Sequence, residues 1–287
     1  MILITGATGH FGSLTINFLL AKGIEPKHIT ALVRKPDNVQ NLQSKGVHIV
    51  TCDYDDYDSL VKAFDGIDKL LLISGNDIPK RASQHENAIK AAKQANVKHI
   101  IYTSGERKDD TPDSPLWPFS GAHIKTEKWL QESGLVYTIL KNTLYMDYIP
   151  FFIGNVLETN TIYLPAGNGK ISVALRSEMA EAAATVLASE GHENKIYDIV
   201  NTESYNYADV ARCISETVGK TIKYISPSVE EFTETLKKSG AGIPEEFLGI
   251  VLAQSQGDGD IVGSDLEKLI GRKPMSLEPF LQETYKV

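Results

Sequence analysis

A chain of 287 residues, 42% hydrophobic and 23% charged, has the material for one large domain or two unequal ones around a buried core. Its formal net charge of −8 argues against nucleic acid and anionic membranes as bulk partners. Two distant cysteines, Cys52 and Cys213, form no CxxC pair, and neither a basic leader nor an apolar run of membrane-spanning length is visible. The expectation is a cytoplasmic protein without a disulfide framework or a zinc ribbon.

Short apolar runs alternate with amphipathic segments through the first half. Residues 1–5 (MILIT) predict a buried strand; Phe11, Leu14, Phe18 and Leu19 then recur at helical spacing until Gly23. Residues 28–33 predict a second strand, a polar helix passes through Val39 and Leu42, and a third strand covers 47–52. Leu60, Ala63 and Phe64 mark a helix. The run 69–74 is almost wholly apolar, as a strand covered on both faces should be. A helix over 84–95, a strand over 97–103, a helix over 123–133 and a strand over 136–141 follow. Strands separated by helices imply an α/β fold, its parallel sheet joined by right-handed crossovers. The second half is less regular, with an alanine-rich helix near 177–189, a strand near 195–200 and a helix near 207–218.

The loop after the first strand reads Gly6-Ala7-Thr8-Gly9-His10-Phe11-Gly12. Gly6 permits a tight turn, Gly9 lets backbone N–H groups approach a phosphate, and Gly12 allows close packing of helix on sheet. The helix N-terminus adds partial positive charge facing a pyrophosphate, and Thr8 offers a hydroxyl. The setting between a strand and a helix turns this spacing into a dinucleotide site. A second strand that ends in Asp or Glu would hold the ribose 2′-hydroxyl of NAD; this one ends Val33-Arg34-Lys35, and a guanidinium suits the 2′-phosphate of NADP. NADP(H) is therefore expected over NAD(H). Two further strand ends face the same crevice: Ile73 and Ser74 beside the adenosine ribose, and Asp53, which either reaches the adenine or serves as a capping residue in an acidic stretch. The expected division is an NADP-binding domain over 1–142 and a substrate domain over 143–287, with some later segments returning to the sheet.

GATGHFG after the first strand, LVRKP, CDYDD and YTSG (Tyr102, Thr103, Ser104, Gly105) together resemble the NmrA-like branch of the atypical short-chain dehydrogenase/reductases. Residues 133–148 and 163–187 are similar to its triphenylmethane reductase and quinone oxidoreductase members. The resemblance implies a Rossmann-like, doubly wound parallel sheet with a smaller C-terminal α/β substrate domain, Tyr102 and Thr103 near the cofactor, and an NADPH-dependent reductase of quinones or similar electrophiles.

One departure is informative. Short-chain dehydrogenases carry Tyr-x-x-x-Lys on the helix after the fifth strand, where four-residue spacing places both groups on one face. Counted back from the sixth strand, those positions hold Phe119 and His123, with Glu127 one turn further. Tyr137 and Lys141 have the spacing but fall in a predicted strand, where four residues span roughly 13 Å. Reducing a ketone benefits from a positioned acid; reducing a quinone or a cationic dye needs chiefly alignment of donor and acceptor. His123 can donate to the nicotinamide ribose or the acceptor oxygen, or simply pack. Ser104 matches the position where relatives keep a catalytic Ser or Thr, or it only positions a ligand. Tyr145, Tyr148 and Phe151 suit stacking on a planar substrate.

No HExxH, GxSxG or complete EF-hand pattern occurs, although Gly257-Asp258-Gly259-Asp260 has a calcium-loop flavour, so no metal is expected. The rival to a reductase is a non-catalytic NADP(H)-binding redox sensor. Monomer and homodimer both stay open, and a lid formed by the amphipathic stretch from Glu230, Glu231 and Phe232 onward is an expectation.

Overall fold

The computed structural model describes residues 1–35, 39–239 and 245–286. Its first half runs β1 (Ile2–Ile4), α1 (His10–Ala21), β2 (Ile29–Val33), α2 (Gln40–Ser44), β3 (His48–Thr51), α3 (Tyr57–Phe64), β4 (Lys69–Leu72), α4 (Ile78–Gln94), β5 (His99–Gly105), α5 (Trp117–Glu132) and β6 (Val136–Asn142). Its second half runs β7 (Leu144–Tyr145), α6 (Ile149–Ile153), α7 (Val156–Thr159), β8 (Thr161–Tyr163), β9 (Val173–Ala174), α8 (Arg176–Ala188), β10 (Lys195–Ile199), α9 (Tyr207–Val218), β11 (Lys223–Ile225), α10 (Val229–Ser239), α11 (Glu245–Ser255), α12 (Asp265–Ile270) and α13 (Leu277–Tyr285).

Seven strands form one parallel sheet in the order β10-β6-β5-β4-β1-β2-β3. The chain winds outward from β1 to β3, returns to β4 on the other side of β1, and winds outward again. The switch point lies between β1 and β4, and α/β sheets bind ligands in the crevice beyond the carboxyl ends of such strands. This is the Rossmann-like, doubly wound arrangement expected from the sequence.

Side chains alternate across the sheet, so its two faces carry two cores. Ile2, Ile4, Ala31, Leu71, Ile101 and Leu140 pack under α1, α8 and α12; Leu3, Leu32, Leu70, Leu72, Ile100 and Ile139 pack under α3, α4 and α5. A third cluster gathers Met146, Phe152, Ile162, Val210, Ile214, Leu277 and Leu281 around the two-stranded sheet β8–β11 and the pair α9–α13. The chain after residue 143 thus contributes to both regions. α8, β10 and α12 complete the main sheet layers, and most of the remainder forms the third core.

Two helices begin about two turns earlier than periodicity predicts, α4 at Ile78 rather than 84 and α5 at Trp117 rather than 123. Both carry proline in the first turn, where its missing N–H costs nothing, and Asp77 caps α4 by accepting from Lys80 N. Their early turns bury polar or small residues, Arg81, Gln84 and His85 on α4 and Ser120, Gly121 and His123 on α5. An apolar-periodicity reading overlooks such turns. Tyr137 and Lys141 do lie on β6. Among the described residues, no helix is long and apolar enough to cross a membrane.

Candidate functional site

The nucleotide side of the crevice is made of backbone. Gly6 has φ +56°, a left-handed conformation that favours glycine, and it turns the chain out of β1. A Cβ on Gly12 would stand 2.5 Å from the Gly6 carbonyl oxygen and 2.9 Å from Ala7 Cα, so α1 approaches the loop as closely as only glycine permits. No side chain caps α1 at Gly9, and no acidic residue occupies its first turn. The first-turn amides lack intrahelical acceptors and are available to an anion. Thr8, Gly9 and His10 are exposed on this rim; Phe11 is buried beneath it.

Neighbouring strand ends are tied to the loop. Ile73 N donates to Thr5 Oγ1 at 2.8 Å, and Ile73 carbon atoms lie within 4 Å of the position a Cβ would take on Gly6. Ser74 N donates to Thr103 Oγ1 at 3.0 Å. Tyr54 Oη donates to the Ile73 carbonyl at 3.1 Å, linking the segment after β3 to the end of β4. Asp53 is exposed beyond β3, and its carboxylate accepts from Asp55 N at 2.9 Å; the cap of α3 is Asp56, not Asp53. Arg34 and Lys35 are exposed directly after β2, and neither pairs with a carboxylate among the described residues.

The other side of the crevice, at β5 and α5, is made of side chains. Ser104 faces α5 and donates to Glu127, and the Glu127 carboxylate is gripped by Arg107 through two bonds of 2.9 Å. The Arg107 side chain is only 2% exposed. Ser104 is thereby committed to an internal network. Tyr102 is fully buried on the α4–α5 face, because its strand parity matches that of Ile100 and Ser104. Its hydroxyl lies 2.6 Å from His123 Nδ1 and 3.4 Å from His85 Nδ1. Thr103 has the opposite parity and is also buried, so what it offers is its bond to Ser74. His123 is 9% exposed, and burial with nearby Arg81, His85 and Arg107 holds its imidazole well below the ordinary value. Asp258 acts on this side too, but as an acceptor for Lys108 N and Asp109 N.

A third group joins these sides. Tyr145 and Tyr148 have ring centroids 5.7 Å apart, and the Arg176 guanidinium lies over both, 4.6 Å and 5.0 Å from the centroids. Arg176 Nη1 donates to His10 Nδ1 of the glycine loop at 2.8 Å. This one side chain, at the start of α8, connects the glycine loop to the aromatic pair. Burial pushes the Tyr145 phenol up to about 12, against the pull of Arg176, so it stays a phenol at neutral pH. Phe151 is 68% exposed and meets Phe247 of α11 edge-on at 5.7 Å. The expected lid segment lies partly outside the described residues; within them, Phe232 is buried in the third core.

Several sealed polar atoms from segments bordering this edge have no hydrogen-bond partner among the described residues: Glu106 Oε2 after β5, Ser120 Oγ on α5, Asn142 Oδ1 at the end of β6, Arg176 Nε on α8 and Asp258 Oδ2. Unpartnered buried groups are costly and call for a role. Sequence reasoning did not single out Arg176, Asn142, Arg81 or His85. Arg176 stands in the segment 163–187 that carries the family resemblance, and this was the only available signal for it.

The NmrA-like family model matches residues 1–284. Quinone oxidoreductase 2 of Escherichia coli (strain K12) is 36% identical over 289 residues, covering 100% of this chain and 99% of the relative. The crystal structure of an NADPH-dependent quinone oxidoreductase from Escherichia coli complexed with NADPH aligns with a TM-score of 0.92 at 36% identity over 100% of both chains. That of Citrobacter sp. triphenylmethane reductase complexed with NADP(H) aligns with a TM-score of 0.88 at 36% identity, covering 99% of this chain and 100% of the other. The chain belongs to the NmrA-like family.

Proposed function

We propose that this chain is an NADPH-dependent oxidoreductase that reduces planar conjugated electrophiles, namely quinones and azo or triphenylmethane dyes, without a Tyr–Lys proton relay. The observation that carries the reading is Arg176, which ties a phosphate-ready glycine loop to a pair of tyrosine rings. The similarity to a quinone oxidoreductase and a dye reductase supports the same reading.

The first-turn amides of α1 and its dipole hold the pyrophosphate, with Gly6, Thr8, Gly9 and Gly12 keeping the approach free of bulk. Arg34 and Lys35 face the 2′-phosphate and give NADP(H) preference over NAD(H). Ile73 and Ser74 line the ribose side, and Asp53 stands toward the adenine. Bound NADPH supplies two electrons and one hydrogen as hydride; a quinone takes these with one proton from water to become the hydroquinone, and a triphenylmethane cation takes the hydride alone at its central carbon. Tyr145 and Tyr148 present flat surface to the acceptor, Phe151 extends it toward solvent, and the third core is the body of the substrate-binding region. Phe119 and His123 occupy the positions where a Tyr–Lys pair would stand, so the chemistry is restricted to acceptors that tolerate hydride without a strong acid.

The test measures oxidation of NADPH and of NADH against quinones, azo dyes and triphenylmethane dyes. Turnover with NADPH preferred is the expected result. Tight NADPH binding with no turnover across the panel would replace the reductase by a redox sensor.

A further inference from the structure

We propose that His85 and Tyr102 are positioning residues that fix His123 as a neutral Nε2–H donor at the carboxyl end of β5, aimed at an acceptor oxygen on which negative charge develops; this rests on the reductase reading above. One group in this chain of hydrogen bonds cannot reverse its role. Gly75 N–H is only a donor, and it donates to His85 Nε2 at 3.1 Å. In the neutral ring the proton of His85 therefore sits on Nδ1. That nitrogen lies 2.9 Å from Thr126 Oγ1, whose own proton goes to the Ala122 carbonyl at 2.7 Å, and 3.4 Å from Tyr102 Oη. Both hydroxyl oxygens can only accept from His85.

Tyr102 has one proton and two neighbouring acceptors, Thr126 and His123 Nδ1; the short contact of 2.6 Å to His123 Nδ1 is the one that takes it. His123 Nδ1 is thus the lone-pair nitrogen, and its proton sits on Nε2. Nε2 makes no hydrogen bond among the described residues, and His123 keeps 9% of its surface exposed. A Cβ added to Gly105 would meet Cδ2 at 3.5 Å and Nε2 at 3.7 Å, so a larger side chain there would grow against this edge of the ring. Gly105 leaves the donor uncovered.

The surrounding charges keep the arrangement neutral. Arg81 reaches from α4, donating to the Gly75 carbonyl at 2.7 Å, and makes no ion pair among the described residues. Arg107 follows β5, and Glu127 on α5 is matched by Arg107. Burial and Arg81 hold the His85 imidazole down to about 3, and burial with both arginines and His85 holds His123 low. A neutral, fixed donor stabilises a developing oxyanion without gaining or losing a proton, and its strength does not vary across ordinary pH.

The experiment has two arms, both on the full chain. In the first, 15N NMR of the imidazoles is expected to show His123 as a single Nε2–H tautomer that does not titrate between about pH 5 and pH 9, and a tautomer mixture in Tyr102→Phe. A proton on Nδ1 in the wild type would overturn the proposal. In the second, kcat is compared on 1,4-naphthoquinone, which has an oxygen to accept the bond, and on a triphenylmethane cation, which does not carry charge development on oxygen. Tyr102→Phe and His85→Gln are expected to lose about tenfold more rate on the quinone than on the dye, and His123→Gln, which keeps an N–H, to retain more quinone rate than His123→Ala. Equal losses on both acceptors would mean a merely structural role. If the wild type turns over neither acceptor, the reductase reading fails on its own, and the NMR arm still decides the tautomer.

Discussion

The two sides of the crevice are built from different materials. At β1 and β2 the site is backbone: open amides, a left-handed glycine and a helix packed so closely that one methyl group would collide. At β5 and α5 it is side chain: a bidentate Arg107–Glu127 pair, a bound serine and two histidines joined through a tyrosine, nearly all sealed. A backbone site is indifferent to most side-chain chemistry and intolerant of added volume. A side-chain site tolerates little loss of atoms, and where it buries neutral histidines the fold loses stability in acid. The difference separates binding from reaction: the first side suits a constant ligand, the second can be retuned for a new acceptor.

The largest expected effect lies on the side-chain half. Glu127→Ala leaves the Arg107 guanidinium, 2% exposed, without its main partner, which should cost about 3–5 kcal/mol in urea unfolding. A loss below about 1 kcal/mol would show that Asp110 and solvent suffice.

Acid is the next lever. His85 is fully buried and held down to about 3 from an ordinary 6.5. A folded value below the unfolded one means full stability above about pH 6.5 and progressive loss toward pH 3, by about 1.4 kcal/mol per pH unit. Between pH 6.5 and pH 5 this amounts to about 2 kcal/mol from His85 alone, with His99, His123 and His192 shifted in the same direction. Urea midpoints at the two pH values measure it, and His85→Gln should flatten the dependence.

The backbone half gives smaller, more selective effects. Gly12→Ala forces a methyl against the Gly6 carbonyl and should weaken NADPH binding about tenfold to thirtyfold, read by fluorescence quenching. Arg34→Ala should narrow the NADPH-over-NADH preference by about tenfold. Equal affinity of the wild type for both cofactors would remove the assigned role of Arg34.

These two halves also differ in how far the sequence reveals them. The glycine loop, the succession of strands and helices along the first half and the cations after β2 are local patterns, and short-range rules read them. The histidine chain is not local: His85, Tyr102 and His123 sit on three elements, and polar burial blurs the periodicity of the two helices that carry them. Tyr102 opens the YTSG motif, and strand parity turns its side chain inward, which the motif alone does not reveal. Arg176 acquires meaning only when α8 returns to the sheet beside α1, bringing it to His10 from 166 residues away. Local rules give way where buried polar groups are gathered for function.

In the proposed reaction hydride passes directly from NADPH to a planar acceptor. A single-turnover reaction of the protein with NADPH deuterated at both C4 positions and a triphenylmethane cation in ordinary water tests it, because hydrogen delivered to the central carbon does not exchange. A colourless product carrying one deuterium is expected. A product without deuterium, or no product from a protein that binds NADPH, would contradict it.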